Sequence, residues 1–186
     1  MQRLAALILG TGLMVLVSPL RAELFQPAPG DLAVAVAAAS RQGRVLAVLF
    51  EQEDCDNCRK LRQGVFPGPF TEKAFARRYA TLAVNLSTNG ELVLPDGKAA
   101  SARAWAESLR VVGTPAFAFF DRRGRLLYRY TGVLKDSEEL LLLGRYVAVA
   151  EYERRPFDDY VRGHKSGPRT FVPDAMLQSQ VCRTRS

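Results

Sequence analysis

The run Val45–Phe50 is apolar at every position. That pattern predicts a strand over Arg44–Phe50, buried on both faces and central in its sheet. Ahead of it, Asp31 offers an N-cap to an Ala/Val-rich helix over Leu32–Ser40, which Gly43 ends. Behind it the pattern predicts a helix from Cys55 to about Gly64, interrupted by Phe66-Pro67-Gly68-Pro69. A second helical piece over Glu72–Tyr79 follows, with Thr71 as its cap, and Thr81–Leu86 reads as another buried strand. Ser87–Gly90 is a turn, and Leu92-Val93-Leu94 with Pro95-Asp96-Gly97 reads as a short extended excursion closed tightly.

The second half continues in the same manner. Ser101 begins a helix over Ala102–Leu109 that carries the only tryptophan, Trp105. Pro115–Phe120 and Arg125–Tyr130, joined by Asp121-Arg122-Arg123-Gly124, form a hairpin. After Gly132, Asp136 or Ser137 caps a long helix to about Glu151, with Leu140, Leu141, Leu143 and Val147 on its apolar side. Past Pro156 a short helix over Phe157–Val161 docks on the domain. Strand–helix–strand in the front half implies a parallel pair with a right-handed crossover, and the hairpin adds antiparallel strands. The expected class is α/β, a central mixed sheet with helices on both faces.

The two ends of the chain differ from this. Met1-Gln2-Arg3, the apolar run Leu4–Val17, a Ser18-Pro19 break and Leu20-Arg21-Ala22 have the layout of a secretory signal. Cleavage near Ala22 would place the remaining chain in the periplasm or outside the cell; an uncleaved anchor is the competing reading, because Arg21 spoils a clean small-x-small pair. Residues 23–165 then form one domain, and 166–186, polar and rich in turn residues, a loosely ordered tail. Phe66, Phe70, Phe75 and Trp105 are expected in the core, and His164, beside the tail, as a solvated side chain.

Charge narrows the partners. The chain carries a formal net charge of +7, and losing Arg3 and Arg21 lowers that to +5. Basic and acidic residues are interspersed and no basic-aromatic stripe occurs, so no nucleic-acid partner is expected. The cysteine count is 3, odd and too low for a disulfide scaffold. Cys55-Asp56-Asn57-Cys58 instead places two thiols in the first turn of a helix that follows a strand. There, unpaired N–H groups and the positive dipole end stabilise a thiolate, the form that attacks disulfides.

Strand–CxxC–helix, with Gly113-Thr114-Pro115 ahead of a hairpin, resembles the thioredoxin superfamily over roughly Gly30 to Tyr152. Phe119-Phe120-Asp121, Thr131-Gly132-Val133-Leu134 and Tyr146-Val147…Tyr152…Phe157…Tyr160 extend the likeness to SoxW-type periplasmic thioredoxins. The resemblance implies a thioredoxin fold, a cis Pro115 against the CxxC, Cys55 as exposed nucleophile and Cys58 as buried resolving thiol. Pro115 would shape a substrate groove, and the backbone of Thr114 would pair with an extended substrate. No cofactor is implied. The expected partners are protein disulfides and, for a reductase in an oxidising compartment, a membrane thiol electron donor; the oligomeric state stays open.

Departures from the family pattern carry information. Asp54 and Asp56-Asn57 replace the aromatic residue and the Gly-Pro, and Leu49 occupies the place of the buried acid, which Glu51 partly substitutes. Glu51, Glu53, Asp54 and Asp56 oppose a thiolate at Cys55, while Arg59 and Lys60 favour it. A less stabilised thiolate favours a reductant over a strong oxidant. The competing readings are a disulfide oxidase or isomerase, and a redox-inert binding or chaperone module on the same fold. Zinc held by Cys55, Cys58, His164 and Cys182 has the right ligand types but draws on loose sequence; no metal is expected. Cys182 is read as an incidental thiol, an intermolecular disulfide partner or a regulatory third thiol.

Overall fold

The computed structural model describes residues 23–87 and 90–166. Five strands form the main sheet in the order β1-β3-β2-β6-β7. These are β1 (Gln26–Pro27), β2 (Val45–Glu51), β3 (Tyr79–Asn85), β6 (Ala116–Phe120) and β7 (Leu126–Thr131). β2 runs parallel to β3, with Val45 opposite Tyr79, and antiparallel to β6, with Phe50 opposite Ala116. β6 and β7 form the expected hairpin. A separate two-stranded ribbon, β4 (Glu91–Val93) with β5 (Ala99–Ser101), accounts for the extended excursion.

Alternation along β2 sorts the core into two halves. Leu46, Val48 and Phe50 face one side with Ala116, Ala118 and Phe120, under α1 (Leu32–Arg41) and α4 (Ala102–Ser108), where Trp105 packs on Phe50 and Phe120. Ala47 and Leu49 face the other side with Phe117 and Phe119. That side is covered by α3 (Pro69–Ala76), α5 (Ser137–Ala148) and α6 (Phe157–Ser166), together with Leu61, Val65 and Phe66 from the segment between α2 (Asp56–Lys60) and α3. A strand with packed side chains on both faces must be apolar at successive positions, which is what Val45–Phe50 shows.

Several expectations need correction. The helix after the break is Pro69–Ala76 rather than Glu72–Tyr79, with Gly68 at its N-cap; Thr71 is buried inside it and caps nothing. Proline at the first helical position costs no hydrogen bond there, so the Pro-Gly-Pro that ends one helix also starts the next. Phe70, expected in the core, is 73% exposed, because the earlier start turns it outward. In α5 the buried leucines are Leu140, Leu142 and Leu143, with Leu141 only partly covered; Asp136 is the cap and Ala148 the end. α6 runs to Ser166, twice the expected length, and His164 packs against Tyr160, tilted, at 4.1 Å between ring centres. The signal segment, the stretch 167–186 and Cys182 with it lie outside the described residues.

Between α2 and the break, Leu61–Val65 forms a π-helical turn, closed by Phe66 N–H donating to Leu61 O at 2.9 Å. Wider winding brings residue i+5 over residue i, so Leu61, Val65 and Phe66 all reach the core.

Candidate active site

β2 ends at Glu51 and only Gln52, Glu53 and Asp54 separate it from Cys55. The short loop is tied to the neighbouring strand: Leu86 N–H donates to Glu51 O at 2.7 Å, and Glu53 N–H donates to Ser87 Oγ at 3.1 Å. Cys55 is the N-cap of α2, in extended conformation, and its sulfur does what a serine oxygen does at other helix starts, accepting from Cys58 N–H at 3.1 Å. Arg59 N–H donates to Cys55 O and begins the helical ladder. Cys55 and Cys58 form a disulfide, with S–S 2.05 Å and Cα–Cα 5.2 Å.

The Thr114–Pro115 peptide bond is cis. Because Ala116 pairs with Phe50, this bond sits beside the end of β2, and the Thr114 hydroxyl reaches Cys55 Sγ at 3.5 Å. Gly132 N–H donates to Pro115 O at 3.2 Å, bringing the loop after β7 to the same place. Val112 and Val133, 89% and 40% exposed, flank this loop pair and give it an apolar rim.

Exposure does not rank the two cysteines in the disulfide, since both are buried, at 5% and 4%. Hydrogen bonding does. Among the described residues both hydrogen bonds to a sulfur of the pair, from Cys58 N–H and the Thr114 hydroxyl, end on Cys55 Sγ.

The acids named from the sequence divide. Glu51 is half-buried and accepts two hydrogen bonds from Arg62, at 2.9 and 2.6 Å. Arg62 also donates to Glu23 at 2.8 Å and to Phe25 O at 3.3 Å. The Glu51 hydrogen bond, against the opposing effect of burial, raises the guanidinium pKa above its ordinary value. Asp56 pairs with Arg59, while Asp54 and Glu53 are exposed. Glu51 and Asp56 are therefore met by cations, and Leu49, fully buried, moves no proton. Two contributors escaped the sequence reading. Arg62 lies four residues after Cys58, in the π-helical turn, but its acid partners come from distant positions. The Thr114 hydroxyl carries no local signal that sets it apart from any other threonine. Among the described residues no group of three or more His, Cys, Asp or Glu side chains is placed to hold a metal ion.

A family model of the thioredoxin-like domain matches residues 32–148. The chain belongs to the thioredoxin-like domain family. A thioredoxin-fold protein from Helicobacter pylori is similar at 15% identity and a TM-score of 0.53, over 75% of this chain and 86% of that one. A putative disulphide-isomerase from Bacteroides thetaiotaomicron gives 20% identity and a TM-score of 0.52, over 73% and 100%. A DsbH oxidoreductase gives 14% and 0.51, over 66% and 84%. At these identities the likeness shows the thioredoxin fold. No curated protein sequence matches the chain. The family match ends at the last residue of α5, and α6 lies outside it.

Proposed function

We propose that this chain is an exported thiol–disulfide oxidoreductase that works as a reductase, with Cys55 attacking and Cys58 resolving. The observation that carries the reading is the Cys55–Cys58 disulfide at a helix N-cap beside cis Pro115. In the reduced protein the Cys55 thiolate attacks a substrate disulfide, forming a mixed disulfide and releasing one substrate thiolate, which takes a proton. Cys58, losing its proton, attacks Cys55 Sγ, and the second substrate thiol leaves. Two electrons have then passed to the substrate, and the pair has the disulfide form seen here. The apolar rim and the Thr114 backbone suit an extended peptide, which makes protein disulfides the favoured substrates.

Exposed Asp54 and Glu53 disfavour the thiolate and support the reductase direction. Each turnover then needs a thiol donor, and for an exported protein that donor is membrane-bound. The signal-like residues 1–22 and the SoxW-type likeness support export. The two hydrogen bonds on Cys55 Sγ favour the thiolate and support the second reading, an oxidase.

A redox titration of the purified protein, with free thiols alkylated and counted by mass, decides between them. A potential near thioredoxin's, about −270 mV, is the expected result. One near about −120 mV reverses the direction. Failure to form the Cys55–Cys58 disulfide at any poise removes the enzyme reading. Cys58→Ala should trap mixed disulfides at Cys55 and identify substrates, and Cys55→Ser should abolish turnover.

A further inference from the structure

Arginines gather at one end of the strand axis. Opposite the disulfide, three connections meet: α1–β2, α3–β3 and the β6–β7 turn. Val45 N–H donates to Arg78 O, Arg44 donates to Ala76 O at 3.2 Å, and Arg122 reaches Gly43 O at 3.5 Å. Arg41, Arg44, Arg122, Arg123 and Arg125 all stand at this end, and all but Arg44 are exposed. On these three connections the acid is Asp121, which is buried and ion-paired with Arg125 at 2.8 Å; the turn after α5 adds Glu151 and Glu153 beside Arg154 and Arg155, a neutral set. The adjoining turn adds a neutral pair, Asp96 with Lys98. At the other end, Glu53, Asp54 and Asp56 stand with Arg59 and Lys60 beside the thiols, a mixed set.

Beside Arg125 lies Leu126, 43% exposed; the other large exposed apolar side chains, Val34, Phe70, Val112 and Val133, lie elsewhere. We propose that this arginine-bearing end docks on anionic phospholipid headgroups, with the Cys55–Cys58 disulfide held on the side turned away from the bilayer. Guanidinium groups bind phosphate oxygens through paired N–H donors. Their spread over separate connections suits a sheet of headgroups better than one bound anion. The apolar neighbour is aliphatic, fit for the headgroup–acyl boundary and unable to stack a base, which sets lipid above nucleic acid. The proposal is independent of the direction of thiol exchange.

The test uses the full chain with vesicles of phosphatidylcholine, with and without phosphatidylglycerol. The readout is the ratio of the two partition coefficients, because the apolar run Leu4–Val17 would contribute to both. Each basic residue near an anionic surface contributes about fivefold, so Arg122→Ala with Arg123→Ala should cut the ratio roughly 25-fold. Arg41→Gln should cut it about fivefold, and added salt should weaken binding. Arg110→Ala with Arg162→Ala removes equal charge elsewhere and should leave the ratio within twofold. Dithiothreitol should reduce the disulfide as fast on vesicles as in solution. Equal losses from both arginine pairs, no preference for phosphatidylglycerol, or protection of the disulfide on vesicles would overturn the proposal. Tighter retention by single-stranded DNA at equal phosphate concentration would also overturn it.

Discussion

The Thr114 hydroxyl offers the sharpest test of how the site sets its own chemistry. Thr114→Val keeps the shape of the side chain and removes the donor that stands 3.5 Å from Cys55 Sγ. A hydrogen bond to a charged group contributes about 1.5–3 kcal/mol, and this long contact takes the lower figure. Since about 1.4 kcal/mol is one pKa unit, the Cys55 thiol in the variant should ionise about one unit higher. The Cys58 N–H contact at 3.1 Å remains, so ionisation should not return fully to that of a free thiol. The donor stabilises the thiolate, which exists only in the reduced protein. Its loss therefore disfavours reduction and makes the couple a stronger reductant, by up to about 30 mV. The shift should vanish well below the thiol pKa, where reduced Cys55 is protonated, and reach its full value above it. Iodoacetamide alkylation against pH reads the first quantity, and redox titration at two pH values reads the second. Thr114→Ser should restore both. A potential shift of equal size at every pH would refute the reasoning, because it would mean altered geometry and not a lost donor.

Gly97 and Gly124 both have positive φ, 84° and 74°, but a Cβ on Gly97 meets nothing within 4 Å while one on Gly124 lies 2.4 Å from Pro95 O. Gly97→Ala should cost about 1 kcal/mol from backbone strain alone, and Gly124→Ala at least about 2 kcal/mol more in urea melts; equal costs would contradict this. Burial acts to raise the Asp121 pKa, but hydrogen bonds from the Arg125 N–H and guanidinium and from Arg123 N–H outweigh it and hold the carboxyl below its ordinary value. Its stabilisation is complete above the unfolded value of about 3.9 and is lost as pH falls through the folded one, so Asp121→Asn should flatten the acid limb of stability against pH. Arg62→Ala strips the cation from half-buried Glu51 and should cost about 1–3 kcal/mol, whereas Arg59→Ala, which frees only exposed Asp56, should cost under about 1 kcal/mol by chemical denaturation.

The parts of the fold legible in the sequence are those with strong periodic or apolar signals. Val45–Phe50 names the central strand, and Asp31, Ser101 and Asp136 mark three helix starts with side chains that do accept backbone N–H bonds. Illegible was β1, whose two residues include a proline and which pairs through Gln26–Leu82 and Pro27–Ala83 with a strand far along the chain. Around Pro67-Gly68-Pro69 the sequence carries a stop signal and a start signal on overlapping residues, so a later cap-type residue, Thr71, gives the more obvious but misplaced start. Within the site, the CxxC and Thr114-Pro115 were visible because local spacing defines them. The Arg62–Glu51–Glu23 network was not, because only tertiary packing brings three such positions together. The polar run Arg162–Ser166 gives no apolar signal to carry α6 past Val161; in the fold it continues the helix, and Lys165 reaches back to Asp136 and Glu139.

The strand that delivers the thiols is hydrogen-bonded on both sides along Leu46–Phe50, to β3 and to β6. Backbone amides in such a strand meet solvent only when the whole sheet opens, while those on edge strands β1 and β7 escape through local fluctuations. Deuterium uptake should therefore be slowest in this strand and report the global unfolding equilibrium. With three residues between its end and Cys55, the sulfur inherits that immobility. A substrate disulfide has to come to the thiol in the orientation the sheet dictates, and little of the encounter's specificity can come from the thiol adjusting its position.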